Sequence, residues 1–190
     1  MQDNGIWDTG ERDTGGITGT GYGILGELYP LPGAQVAPFK LNENEKTMRT
    51  LEAIIDSMQD FGLNRQEPVL LVGGGLATDI GGFACSIMRR NTPYIRVPTS
   101  LIGLIDASIA IKVAVNHADG KNKLGAFHSH QAVLLDTSFL KTLPAKELRV
   151  GMAEIIKIAA VEEERTFELL EEHCEELMET RFGHVNPDGK

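Results

Sequence analysis

The sequence predicts an α/β fold with a Rossmann-like parallel sheet that passes into a mostly helical region, and three observations predict it. Pro68-Val-Leu-Leu-Val72 is a short, uninterrupted apolar run with β-branched residues, bounded by proline and glycine, as a buried parallel strand should be. Gly73-Gly74-Gly75 follows it directly. The order helix, strand, glycine turn, helix, strand is the plan of a βαβ unit, which requires parallel pairing.

Taken in order, Thr47, Met48, Leu51, Ile54, Ile55, Met58 and Phe61 fall on one helical face, and Gly62 supplies a stop. A second helix is expected from about Asp79 to Arg90, ended by Asn91-Thr92-Pro93. Tyr94–Val97 reads as the next strand, closed by Pro98. Ile109–Val115 and Ala132–Leu135 are further strand candidates, separated by a polar loop, Asn116–Lys123. Beyond Pro144 the pattern turns helical: Glu147–Val161 forms one helix, and Phe167, Leu170, Cys174, Leu177 and Met178 stripe another. Residues 1–33, rich in Gly, Thr and Asp and without periodicity, are expected to be irregular. The organisation expected is therefore 1–33 irregular, 34–143 an α/β domain and 144–190 the beginning of a helical domain.

Composition removes several classes. With 190 residues, 42% hydrophobic and 24% charged, the chain is that of an ordinary globular protein with room for one sizeable core. Its two cysteines, Cys85 and Cys174, cannot build a disulfide framework or a zinc ribbon, so a reducing cytoplasm is expected. No apolar run approaches the roughly 18 residues a bilayer span needs, and the N-terminus lacks the basic-then-apolar pattern of a secretory signal. Neither a membrane nor, at a net charge of -9, a nucleic acid is the expected partner. The charge is uneven, however: Arg89–Lys123 holds six Lys/Arg against two Asp, while Glu162–Glu179 holds nine Glu against one Arg. The middle of the chain suits a small anion.

The glycine triplet lies where backbone N–H groups approach a pyrophosphate at the positive end of a helix. Thr78 occupies the third glycine position of G-x-G-x-x-G, so the fingerprint is incomplete. A tight strand-to-helix turn, with Asp79 as a mere helix cap, fits the same residues. Arg89 and Arg90 suit either an anion or the negative end of their own helix. Asp106 and Lys112 interrupt apolar stretches, where an ionised group costs several kcal/mol unless paired, so they are either a structural pair or site residues. Asn116-His117-Ala-Asp119-Gly-Lys121-Asn122-Lys123 reads as a solvated turn or as a clamp for phosphate and hydroxyls. His117, His128 and His130 have no carboxylate at ligand spacing, which disfavours a metal there. Glu154 and Lys157 form either a helical ion pair or part of a cleft.

Taken together, these residues resemble a known family. Gly73-Gly-Gly75-x3-Asp79, Arg89-Arg90, Val97-Pro-Thr-Ser100, Asp106-x5-Lys112, Val115-Asn-His117, Lys121-Asn122 and Gly151-Met-Ala-Glu154-x2-Lys157 occur in the order and spacing of the sugar phosphate cyclases, the 3-dehydroquinate synthase superfamily. The resemblance covers roughly Leu41 to Phe182. Where dehydroquinate synthases read D-S-S-V-G-G-K-T, this chain has Asp106-Ala-Ser-Ile-Ala-Ile-Lys112-Val113. That segment, with Arg89–Arg96 and Leu101–Ser108, is most similar to the sedoheptulose 7-phosphate cyclases, the 2-epi-5-epi-valiolone synthases first among them. The desmethyl-4-deoxygadusol synthases, which use the same sugar but usually lack Asp-Ala-Ser-x-x-x-Lys-Val, match this motif less well.

The resemblance implies a dehydroquinate synthase-like fold, NAD and a divalent metal, zinc or cobalt, as cofactors, a sugar phosphate as substrate and a homodimer at full length. It implies that Glu43 and Lys46 contact the adenosine end of NAD, that Gly74, Gly75 and Asp79 form the dinucleotide turn, and that Thr99, Ser100, Asp106 and Thr142 are further cofactor contacts. Arg90, Lys112, Lys121, Asn122 and Lys157 correspond to catalytic and substrate contacts, and Glu154 to a metal ligand. The implied chemistry removes hydride from a ring carbinol to NAD+, eliminates phosphate beside the resulting ketone, returns the hydride, opens the ring and closes a carbocycle by aldol addition.

Two departures qualify this. Relatives carry two further metal-binding histidines in G-H-x-x-x-H and H-G-x-x-V settings, whereas after Glu154 this chain has only His173 and His184, in neither setting. The usual first strand and its acidic NAD contact are also replaced by residues 1–33. A truncated form of an enzyme, inactive alone, is therefore the expectation. Its alternatives are a 3-dehydroquinate synthase, a related metal- and NAD-dependent polyol dehydrogenase, and a degenerate paralogue serving as a binding module.

Overall fold

The computed structural model describes residues 35–162 and 164–183; the segment 1–33 (expected to be irregular) and His184 lie outside the described residues. Helix α1 (Met48–Asp60) starts where the Thr47 hydroxyl accepts the Thr50 N–H at 3.2 Å, a side-chain cap that satisfies one of the helix's open donors. It stops at Gly62, whose φ of +74° suits a residue without Cβ. Strand β1 (Val69–Gly73), helix α2 (Gly75–Ile87) and strand β2 (Tyr94–Pro98) form the expected βαβ unit, β1 and β2 pairing in parallel from Val69–Tyr94 to Gly73–Pro98. A π-helical turn, Gly103–Ala107, follows β2. Strands β3 (Lys112–His117) and β4 (Gly120–Phe127) make an antiparallel hairpin. Strand β5 (Ala132–Val133) pairs in parallel with β2, completing the order β1-β2-β5. Helices α3 (Ala145–Glu162) and α4 (Glu164–Thr180) end the described chain. This is the α/β, parallel-sheet fold that the sequence predicts, and no helix among the described residues is long and apolar enough to cross a membrane.

Period-two alternation divides the core. Leu71 faces α1 and α2 and joins Leu51, Ile80 and Val113 in the main cluster. Val72 points to the other face of the sheet, where it meets Val97 and Phe139. Leu148, Met152 and Leu170 of the terminal helices pack on Leu101 of the turn after β2.

Three local expectations are corrected. Helix α2 begins at Gly75, not near Asp79, because extended Gly74 already serves as the N-cap; Asp79 stands in the second turn and caps nothing. The helix also ends before the two arginines. Arg89 and Arg90 have φ values of +53° and +73° in a tight turn, and the Arg89 guanidinium donates to the Leu63 carbonyl. Asn116–Lys123 is mostly strand, not loop: the ribbon exposes one face, so its polarity resembles that of a turn, and the reversal itself takes only Ala118 and Asp119.

Helix α2 can lie against the hairpin only because it carries Gly82, where an added Cβ would come within 2.5 Å of Val113 Cγ1. The substitution Gly82→Ala is expected to destabilise the protein by about 1–3 kcal/mol through overpacking, read as a lowered denaturant midpoint at unchanged slope.

Candidate functional site

A cleft of about 980 Å³ opens between the N-terminus of α2, the turn after β2 and the β3–β4 hairpin. Among the residues lining it are Gly75, Asp79, Asp106, Lys112 and Asn122, five of those singled out in the sequence.

Gly75 lines the cleft at the start of α2, and Gly73 and Gly74 shape the turn before it. Gly73 has φ +153°, which residues with a Cβ rarely adopt. A Cβ on Gly74 would lie 3.3 Å from Ser100 Oγ, so Gly74 allows the turn after β2 to close in, helped by the Thr99 N–H donating to the Gly73 carbonyl at 3.0 Å. Thr99 and Ser100 thereby sit beside the glycine turn. An added Cβ on Gly75 would meet nothing within 4 Å among the described residues. Among the described residues no side chain caps α2, which leaves its positive dipole end able to receive an anion.

The far wall is held by a buried cation. Lys46, 5% exposed, places its ammonium 2.6 Å from both Asp79 Oδ2 and Asn122 Oδ1. Its carbonyl accepts the Asn116 N–H at 2.8 Å, the Asn116 amide donates to Glu43 Oε1 at 2.9 Å, and the Asn122 N–H donates to Asn116 Oδ1 at 2.9 Å. A register shift in the hairpin makes this possible: Val115 pairs with Leu124 and His117 with Gly120, leaving Asn116 alone opposite Lys121–Lys123, and bulges of this kind re-aim side chains. Asn122 sits there at φ +53°, a conformation that asparagine tolerates. The Asn116 bond holds the Glu43 carboxyl below the usual range.

Burial pushes the Asp79 carboxyl above its ordinary value, against the opposing pull of its bond to Lys46. A carboxyl with a raised folded pKa binds its proton more tightly folded than unfolded. Its contribution to stability is therefore fully present below the ordinary value of 3.8 and is lost as pH rises through the folded pKa. Accordingly, the stability difference between wild type and Asp79→Asn should shift in favour of wild type as pH is lowered from 7 towards 4, measured by chemical denaturation at each pH. A pH-independent difference would contradict this.

Asp106 and Lys112 are exposed to the cleft, not buried. Their apolar neighbours misled, since Ile109 and Ile111 are themselves 76% and 43% exposed. Arg90, Lys121, Thr142, Glu154 and Lys157 are not among the residues lining the cleft. Lys121 lies 3.5 Å from Glu43 with its side chain 77% exposed. Arg90 is exposed beyond the far end of α2, whose 13 residues span about 20 Å. Thr142 bonds back to the Phe139 carbonyl at 3.2 Å and ends a short 3-10 turn. Glu154 and Lys157 pair with each other on α3. His128 stacks on Tyr94 with ring centroids 5.2 Å apart, and His130 meets the same ring edge-on. Two residues escaped the sequence reading as individuals: Asn116, the hub of the hairpin bonds, and Arg96, 1% exposed, whose only signal was a cation in an apolar strand.

The uncapped, open glycine turn fits a dinucleotide pyrophosphate. For a catalytic divalent metal, which usually takes three protein ligands, Glu154 is the residue here that would contribute one; its carboxylate carries the Lys157 ammonium, and among the described residues no three His, Cys, Asp or Glu converge.

Fold and cleft define a parallel α/β protein in which the uncapped N-terminus of a helix faces a lysine-bearing hairpin. Residues 36–150 match the family model described as 3-dehydroquinate synthase N-terminal, and the chain belongs to that family. It is 54% identical over 165 residues to a demethyl-4-deoxygadusol synthase of Trichormus variabilis, covering 87% of this chain and 38% of that protein. It is 48% identical over 142 residues to a 2-epi-5-epi-valiolone synthase of Streptomyces hygroscopicus, covering 74% and 34%. Among solved structures it resembles the Streptomyces hygroscopicus 2-epi-5-epi-valiolone synthase with NAD+ and Zn2+ bound, at 45% identity and a TM-score of 0.74, over 80% of this chain and 41% of that one. The chain thus spans about two fifths of the relatives it matches. Identity over the chain does not rank these two relatives as the Asp106–Val113 motif does.

Proposed function

We propose that this chain forms the cofactor- and phosphate-binding part of a sugar phosphate cyclase that converts sedoheptulose 7-phosphate to 2-epi-5-epi-valiolone with release of phosphate. The observation that carries the reading is the shared cleft: Gly75, at the start of α2, and Lys112 line one cavity. Bound NAD+ would supply a hydride acceptor that is regenerated within each turnover. Gly74 and Gly75 would receive its pyrophosphate on backbone N–H groups, with Thr99, Ser100 and Asp106 beside them. Lys112 would bind the anionic end of the sugar, and Asn122, oriented by Lys46, would donate its amide to a hydroxyl. Arg90, Lys121, Glu154 and Lys157 enter this proposal only through family resemblance, as do Thr142, the metal, the homodimer and a domain boundary near residues 143–144.

A second reading, a demethyl-4-deoxygadusol synthase acting on the same sugar, is favoured by the 54% identity to the Trichormus variabilis relative. Joining this chain to the C-terminal remainder of the Streptomyces hygroscopicus relative, with NAD+, Zn2+ and sedoheptulose 7-phosphate supplied, tests both. Phosphate should be released without net NADH, and the carbocycle formed decides between the two. Steady NADH formation, or phosphate release only from the dehydroquinate precursor, would overturn both. In the same protein Lys112→Ala should lower turnover about 100-fold or more, and unchanged turnover would remove Lys112 from the mechanism.

A further inference from the structure

The segment from Asp106 to Lys112 has an anchor that is not itself part of the cleft lining. Parallel register sets Arg96 beside Leu71, and the period of two sets Tyr94 on the same face of β2, towards the hairpin. Both side chains are buried, Arg96 at 1% exposure and Tyr94 at 0%. One guanidinium nitrogen of Arg96, Nη1, donates to the carbonyls of both Ala107 and Ala110. Nη2 donates to the Tyr94 hydroxyl at 3.2 Å, and that hydroxyl donates onward to the His128 carbonyl at 2.7 Å. The His128 N–H in turn reaches the Ile111 carbonyl at 2.8 Å. Both rims of the cleft, the turn leading to Lys112 and the end of β4, are therefore tied to one buried pair. A buried arginine whose hydrogen-bond partners among the described residues are carbonyls and a phenol, with its Nε unpartnered, is expensive to bury, and its fork lets Nη1 hold the two carbonyls while Nη2 holds the Tyr94 hydroxyl.

We infer that Arg96, with Tyr94, is the positioning residue of the substrate-side wall: it fixes Ala107–Ile111, and hence the separation of Asp106 and Lys112, without touching the ligand. Its substrate-side meaning rests on the cyclase reading; the brace itself does not. Hydrogen exchange on the chain tests the brace in Tyr94→Phe, Arg96→Lys and Arg96→Met. The amides of Ser108, Ile109, Ala110 and His128, bonded to the Gly103, Asp106 and Ile111 carbonyls, should exchange at least about tenfold faster, while those of β1 and α2 change by less than about twofold. Binding supplies the second readout: affinity for sedoheptulose 7-phosphate should fall about tenfold and that for NAD+ by less than about threefold. Unchanged rim exchange in a folded variant, or equal acceleration through β1 and α2, overturns the inference; Tyr94→Phe and Arg96→Lys carry the test if Arg96→Met does not fold. Faster rim exchange in a chain that binds no sugar phosphate would uphold the brace and reject the cyclase reading.

Discussion

Gly75→Val should leave the protein folded and abolish its hold on NAD+. The open space at Gly75 admits a side chain without displacing anything, and its backbone lies in the helix, not in the left-handed region. Thermal stability is therefore expected to stay within about 2 °C of wild type, or to rise slightly as the unfolded chain loses freedom. The same methyl groups would stand where a pyrophosphate must approach the amides of α2. NAD+ affinity should fall at least about 100-fold, near 3 kcal/mol. Calorimetric titration of wild type and variant measures it. Retained affinity in a folded Gly75→Val would mean that the dinucleotide does not use this helix end.

Lys46→Met should have the largest effect on stability. The ammonium satisfies Asp79 and Asn122 together, so its removal leaves a carboxylate and an amide facing an apolar stem. Breaking one side of a buried pair costs about 3–5 kcal/mol, and the partial exposure of Asp79 brings the expectation down to about 2–3. The hairpin would lose its tie to α2 and NAD+ affinity would fall with it. Lys46→Met/Asp79→Asn should recover part of the lost stability, because the stranded charge is gone; strict additivity of the two changes would show that the pair is not coupled.

These two sites differ in how far they could be read from the sequence. The glycine turn was legible because strand, turn and helix are consecutive, and because Pro68–Val72 and the α1 stripe are local patterns. Its misplaced start came from treating Asp79 as a cap, when Gly74 needs no side chain to begin a helix. The Lys46 clip was legible only through resemblance, since its partners lie 33 and 76 residues away and no period connects them. The hairpin was hidden by its solvated face, on which Lys121, Asn122 and Lys123 look like a turn. The apolar neighbours of Asp106 and Lys112 signalled burial, but Ile109 and Ile111 line an open cleft. Arg96 could not be distinguished from a strand-edge charge until the register set it beside Leu71.

The most direct test is a crystal structure of the chain soaked with NAD+ and sedoheptulose 7-phosphate. The account predicts the pyrophosphate on the Gly74–Gly75 turn and the sugar phosphate against Lys112, with the nicotinamide and the sugar ring within about 4 Å of each other, close to the distance hydride transfer requires. A dinucleotide bound away from the N-terminus of α2, or a sugar phosphate bound outside the cleft, would contradict it.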